Sequence, residues 1–123
     1  MERQKRIALI NDITGFGRCS IAVMLPIVSA MKVQGVLVPT SILSTHTQFP
    51  IYYFDDYTTR MKDYIQTYKD LDLEFDAIAT GFLGSVEQVD IVIDFIEHSF
   101  KLFIGSISYI ESILPHLYHT CII

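Results

Sequence analysis

The chain has 123 residues, half of them apolar and 19% charged, with a formal net charge of -5. That composition excludes a disordered chain and fits one small domain or a piece of a larger one. An acidic balance with no basic cluster counts against nucleic-acid binding through phosphate contacts, so no nucleic-acid partner is expected.

The elements follow in chain order. Ile7 to Ile10 is a short apolar run bounded by Arg6 and by Asn11-Asp12. It predicts a strand buried on both faces, the parallel-sheet type. Gly15-Phe16-Gly17 then predicts a turn with two glycines free to take positive φ. Ser20 is placed to cap a first helix carrying Ile21, Met24, Leu25, Val28 and Met31, in which Pro26 should kink the helix or delay its start. Val36-Leu37-Val38 starts a second strand, extended through Pro39 to Leu43. Asp55 or Asp56 opens a second helix with Met61, Tyr64, Ile65 and Tyr68 on one face. Phe75 to Thr80 predicts a third strand closed by Gly81. Ser85 caps a third helix from Val86 to about Phe100. The alternation predicts an α/β fold, a parallel sheet flanked by helices with right-handed crossovers.

Two segments follow from composition, residues 1–100 and an apolar tail, 101–123. In the tail only Lys101 and Glu111 are charged, and Pro115 interrupts any long helix. It reads as a strand plus a buried helix, or as sequence outside the original reading frame. The apolar stretch before Asn11 is too short for a secretory signal, and no run approaches the roughly 20 residues of a membrane span. A cytoplasmic protein with no membrane partner is expected. Cys19 and Cys121 form no CxxC or Cys/His ladder, so neither a structural zinc site nor a disulfide framework is expected. Cys19 reads as a buried, inert thiol.

In an open parallel sheet, ligands sit beyond the carboxyl ends of the strands. Here those ends carry Asn11-Asp12 and Gly15-Phe16-Gly17, then Ser44-Thr45-His46-Thr47, then Thr80-Gly81-Phe82-Leu83-Gly84. They are distant in sequence, but a parallel sheet brings them to one rim, which favours a small-ligand site over a bare scaffold. Asp12 either accepts a hydrogen bond from a ligand or closes the first loop. His46 either donates to a ligand oxygen or is a loop residue without a task. Phe82, beside Gly81, either stacks on a flat ring or packs in the core. Tyr52, Tyr53, Phe54 and Tyr57 suit helix packing or a subunit contact. A dinucleotide fingerprint fails, because Ser20 stands where a third glycine is needed. No Walker A loop occurs.

The segments Ile10 to Ser20, Pro39 to Pro50 and Thr80 to Ser85, with Phe54-Asp55-Asp56-Tyr57-Thr58, resemble those of bacterial pyridoxamine/pyridoxal kinases. These are members of the ribokinase-like superfamily, alongside the hydroxymethylpyrimidine kinases. The resemblance spans about residues 5 to 100 and implies the amino-terminal portion of a ribokinase-like fold. It further implies ATP- and Mg2+-dependent phosphorylation of the 5'-hydroxyl of pyridoxal, pyridoxine or pyridoxamine. By it, Asp12 and Thr47 meet the polar edge of the pyridine ring with His46 beside them, Phe82 contacts the ring, and Leu43 lines its apolar side.

The family continues into an Asp-Pro-Val-x-Gly-Asp motif and a glycine-rich loop with a catalytic Asp, and this sequence contains neither. No catalytic or metal-binding residue is therefore assigned, and the chain alone is expected to bind vitamin B6 weakly without phosphorylating it. The alternatives are a hydroxymethylpyrimidine kinase fragment and a non-catalytic binding or interaction fragment. An uncovered strand edge makes a homo-oligomer the expected assembly.

Overall fold

The structure, a computed structural model, describes residues 2–99. The apolar tail, with Cys121, and the expected helix end at Phe100 lie outside the described residues. The elements are β1 (Arg6–Phe16), α1 (Ile21–Ala30), β2 (Gln34–Thr45), β3 (Phe54–Asp56), α2 (Thr58–Asp70), β4 (Ala77–Thr80) and α3 (Val86–Ser99). The sheet order is β3-β2-β1-β4. β1 runs parallel to both β2 and β4, as expected, while β3 adds an antiparallel edge to β2 through Ser41 to Leu43.

Alternation along the strands sorts the two faces. Ala8 and Ile10 of β1 and Val38 of β2 meet Met61, Ile65, Phe75, Ile91, Val92 and Phe95 in the main core, under α2 and α3. Leu9 points the other way, toward Leu25 and Val28 of α1 at Gly35. The α2/α3 face is the better filled. Ile21 is the buried residue of α1, whereas Ile27 and Met31 are exposed.

Four details differ from the sequence expectation. β1 does not stop at Ile10 but runs six residues further through polar positions, because β2 pairs with it as far as Phe16 opposite Thr45. Gly15 therefore lies within a strand, and of the two glycines only Gly17 takes positive φ, at 144°. α1 starts without delay and continues through Pro26, which forgoes its bond to the Ala22 carbonyl. The acids at 55 and 56 form β3 rather than opening α2. Asp56 still serves the helix, accepting the Thr58 N–H at 2.8 Å and the Thr58 hydroxyl. These bonds hold its carboxyl below the usual carboxylate range.

At the opposite end of the sheet from the rim, Asp76 ties down the start of β1. It accepts the Arg6 N–H at 2.9 Å, the Arg3 guanidinium at 2.7 Å and the Lys5 ammonium at 3.3 Å. The Arg6 amide, then the Arg3 side chain, hold its carboxyl well below the usual range. On α2, Tyr64 and Tyr68 both donate to the Leu37 carbonyl, and burial pushes the Tyr68 phenol up, so it stays a donor.

Candidate functional site

Two of the three strand ends coincide, those of β1 and β2, while β4 ends beside Ile10, six residues earlier on β1. Thr14 lies beside Leu43 and Phe16 beside Thr45 in the β1–β2 ladder. His46 continues that edge, donating its N–H to the Phe16 carbonyl at 3.3 Å. Its ring lies over Gly17, where a Cβ would come within 2.7 Å of the His46 Cδ2. A side chain at 17 would therefore be both strained and in the way of the imidazole. The ladder between β1 and β4 ends at Ile10 opposite Thr80, followed by the Gly81 N–H donating to the Ile10 carbonyl at 2.7 Å.

Asp12 is buried, and both its oxygens are used. One accepts the Thr14 hydroxyl and the other the Ser20 hydroxyl, each at 2.6 Å. Ser20 was expected to cap α1 with its side chain. It occupies the capping position at φ 53° but turns its hydroxyl to Asp12 and makes no capping bond. Among the described residues no cation pairs with Asp12. A carboxylate fixed by two hydroxyls keeps further acceptor positions for a donor arriving from the rim.

His46 is half-buried and stacked near Phe49, with ring centroids 4.6 Å apart. The Gln48 N–H donates to its Nδ1 at 3.3 Å, so in the neutral ring the proton sits on Nε2. Thr47 is exposed. Phe82 is 39% exposed and follows directly on the β4 end, its N–H donating to the Asn11 side-chain oxygen at 2.9 Å. Leu43 is buried beneath the rim rather than open on it. Asp12, within β1, and Phe82, just past β4, are thus joined through Asn11, while His46 lies at the far end of β1 beside Phe16 and Gly17, with Thr47 next in the chain. Tyr57 packs edge-on to Tyr64, while Tyr52, Tyr53 and Phe54 face outward. Cys19 is half-buried rather than buried.

Two residues that sequence reasoning passed over hold this rim together. Asn11 is buried, and its oxygen accepts N–H groups from both Asp12 and Phe82. Gln88 is buried on the first turn of α3. Its Oε1 accepts the Gly84 N–H at 2.8 Å, and its Nε2 donates to the Thr40 carbonyl at 2.8 Å and the Thr58 hydroxyl at 2.9 Å. The Gln88 N–H in turn bonds the Ser85 hydroxyl, the cap the sequence predicts. The spacing Ser85-x-x-Gln88 is a capping-box signature and was the available signal. Among the described residues no group of three or more His, Cys, Asp or Glu forms a metal site. No described helix is long and apolar enough to cross a membrane.

A parallel β2-β1-β4 sheet with helices on both faces and its polar residues gathered beyond the strand ends defines part of a ribokinase-like fold. Comparison with solved structures agrees with that class. A protein of Bacteroides thetaiotaomicron, provisionally assigned as a phosphomethylpyrimidine kinase, is 46% identical over 78% of this chain and 33% of its own, with a TM-score of 0.76. A second crystal form of it contains pyridoxal and matches over 77% of this chain and 33% of its own, with a TM-score of 0.75. The pyridoxal kinase of Lactobacillus plantarum is 26% identical over 77% of this chain and 34% of its own, with a TM-score of 0.74. The likeness to the ribokinase-like pyridoxal kinases therefore holds in three dimensions as well as in sequence. The chain spans about a third of the length of these structures. No family model matches the chain, and no curated protein does.

Proposed function

We propose that the chain is the vitamin B6-binding part of a pyridoxal kinase, a protein that phosphorylates the 5'-hydroxyl of pyridoxal, pyridoxine or pyridoxamine with ATP. The observation that carries this reading is Asp12. Buried, anchored by Thr14 and Ser20 and without a cation among the described residues, it waits for a donor such as a protonated ring nitrogen or ring hydroxyl. The pyridoxal-containing crystal form of a 46% identical protein supports the same ligand.

In this reading Asp12 and Thr47 hold the polar edge of the pyridine ring, His46 donates from Nε2, and Phe82 stacks on the ring face. Leu43 supports the floor from below, since it is buried rather than open. The described residues do not fit the magnesium–nucleotide half of the reaction, because no acidic cluster among them holds a metal. ATP and Mg2+ belong to the family's Asp-Pro-Val-x-Gly-Asp motif and glycine-rich loop. The described residues supply the vitamin-binding part of this reading and not the nucleotide part.

The hydroxymethylpyrimidine kinase reading stands second, carried by the assignment of the Bacteroides protein. Calorimetric titration of the chain with pyridoxal and with 4-amino-5-hydroxymethyl-2-methylpyrimidine separates the two. The expected result is saturable pyridoxal binding that Asp12→Ala weakens at least about tenfold, or roughly 1.4 kcal/mol. Binding of the pyrimidine alone overturns the first reading in favour of the second. Pyridoxal 5'-phosphate formed by the chain with ATP over many turnovers overturns the expectation that the chain alone does not phosphorylate vitamin B6.

A further inference from the structure

Beyond the end of the β1–β4 ladder, one side chain does the work of the backbone. The last main-chain bond is Gly81 N–H to the Ile10 carbonyl, at 2.7 Å. The next amide of that chain, Phe82 N–H, finds the side-chain oxygen of Asn11 at 2.9 Å instead. The same oxygen accepts the Asp12 N–H at 2.9 Å. That amide lies where the β1–β2 register shifts, between Asn11 and Ile13. One carboxamide oxygen thus takes two main-chain amides, one from within β1 at its register shift and one from just past the end of β4.

The orientation of this amide is determined on both sides. Its oxygen faces two donors, while its Nδ2 faces the Met24 sulfur on α1 at 3.4 Å, a weak acceptor. The flipped amide would set a donor against two donors. Gly81 completes the fit, because a Cβ there would lie 2.2 Å from Nδ2. Both ends of the Asn11 amide are engaged within the protein, so it is not itself a ligand contact. The two residues whose amides it holds are the ones that the vitamin B6 reading puts at the polar edge and at the face of the ring.

We propose that Asn11 is the positioning residue of the ring subsite, its oxygen fixing the Asp12 and Phe82 main chains in one frame and thereby the place of the aromatic platform relative to the polar anchor. This inference rests on the vitamin B6 reading above. Glycine at 81 is required for the same reason, since it leaves room for the amide that sets the spacing.

The test is a double-mutant cycle in the full 123-residue chain. Pyridoxal affinity is measured by calorimetry for Asn11→Leu, Phe82→Ala and the pair, with folding checked by circular dichroism. Asn11→Leu keeps the shape and removes the acceptor. It is expected to weaken binding about tenfold, and to add less than about threefold once Phe82 is already Ala, because coupled residues are not additive. Asn11→Asp retains the acceptor and is expected to bind within about threefold of wild type. A folded Asn11→Leu with wild-type affinity, or one whose effect multiplies fully with that of Phe82→Ala, overturns the proposal while leaving the vitamin B6 reading intact. If Asn11→Leu fails to fold, Gly81→Ala displaces the same amide and is held to the same two criteria. A wild-type chain that does not bind pyridoxal sinks the reading and this inference with it.

Discussion

Gln88→Met is the sharpest test of how the rim is held to the rest of the fold. The substitution preserves chain length and nearly preserves volume, so packing alone costs little. It removes three hydrogen bonds, to Gly84, Thr40 and Thr58. Their partners are not equally stranded. The Thr40 carbonyl keeps the Tyr57 N–H at 3.1 Å, and the Thr58 hydroxyl keeps Asp56. The Gly84 N–H has no other acceptor among the described residues. Each lost bond is worth about 0.5–1.5 kcal/mol net, and Gly84 is exposed, so water can take over its amide. From the three lost bonds, with two partners still satisfied and the third open to water, the expected loss is about 2–3 kcal/mol. In a domain of this size that lowers the melting temperature by about 10–20 °C. Thermal and urea unfolding followed by circular dichroism measure it. Gln88→Glu separates the two halves of the amide, since it keeps an acceptor for Gly84 but sets a carboxylate against the Thr40 carbonyl. It should cost more than Met at neutral pH and recover as the carboxyl protonates in acid. A loss below about 0.5 kcal/mol for Gln88→Met would refute the reasoning.

Two further outcomes are expected. Asp76, whose folded carboxyl lies well below the usual range, contributes stability that is complete above the unfolded value of about 4 and is lost as pH falls below it. Melting temperatures of wild type and Asp76→Asn measured from pH 6 to pH 2.5 should converge toward the acid end, and parallel curves would contradict the clamp. Gly17→Ala places a Cβ at φ 144° and 2.7 Å from the His46 ring. It should cost about 1–3 kcal/mol and weaken pyridoxal binding, as read by melting and titration; a neutral substitution would show that His46 is not held there.

The strand at Ile7–Ile10 was legible because a fully apolar run has few other places to go. Its continuation to Phe16 was not, since Asn11, Asp12, Thr14 and Gly15 carry turn chemistry, and only the pairing with β2 makes them a strand. β3 is three residues long and reads Phe-Asp-Asp, too short to show alternation. Acids before a helical pattern suggest a helix opening, and Asp56 does accept the N–H of the first residue of α2 while itself belonging to β3. At the rim, Asp12, His46, Thr47 and Phe82 stood out because strand-end polar and aromatic residues converge in any parallel sheet. Leu43 stood out too, but the ladder buries it. Asn11 and Gln88 were passed over for a physical reason. Amide side chains are ordinarily solvated, and nothing in composition reveals which few are buried to satisfy main-chain groups.

The register shift between β1 and β2 has a consequence for how this chain tolerates change. β2 advances three residues, Pro39 to Ile42, while β1 advances two, Asn11 to Ile13. Side chains alternate with period two, so the extra residue inverts the phase of the strand. Before it, Val38 is buried on the core side. After it, Leu43 is buried while Ile42 and Ser44 are exposed. The two halves of one strand thus answer to different demands, the first to packing under α2 and α3, the second to the rim. Deleting a single residue at 40 or 41 would remove only that extra residue, so Leu43 could still pair with Thr14 and Thr45 with Phe16, and the far half of β2 would keep its faces. The bulge is thus the place where β2 can lose a residue without inversion, whereas a residue lost from the regular stretch at 36–38 would set packing faces against the ladder.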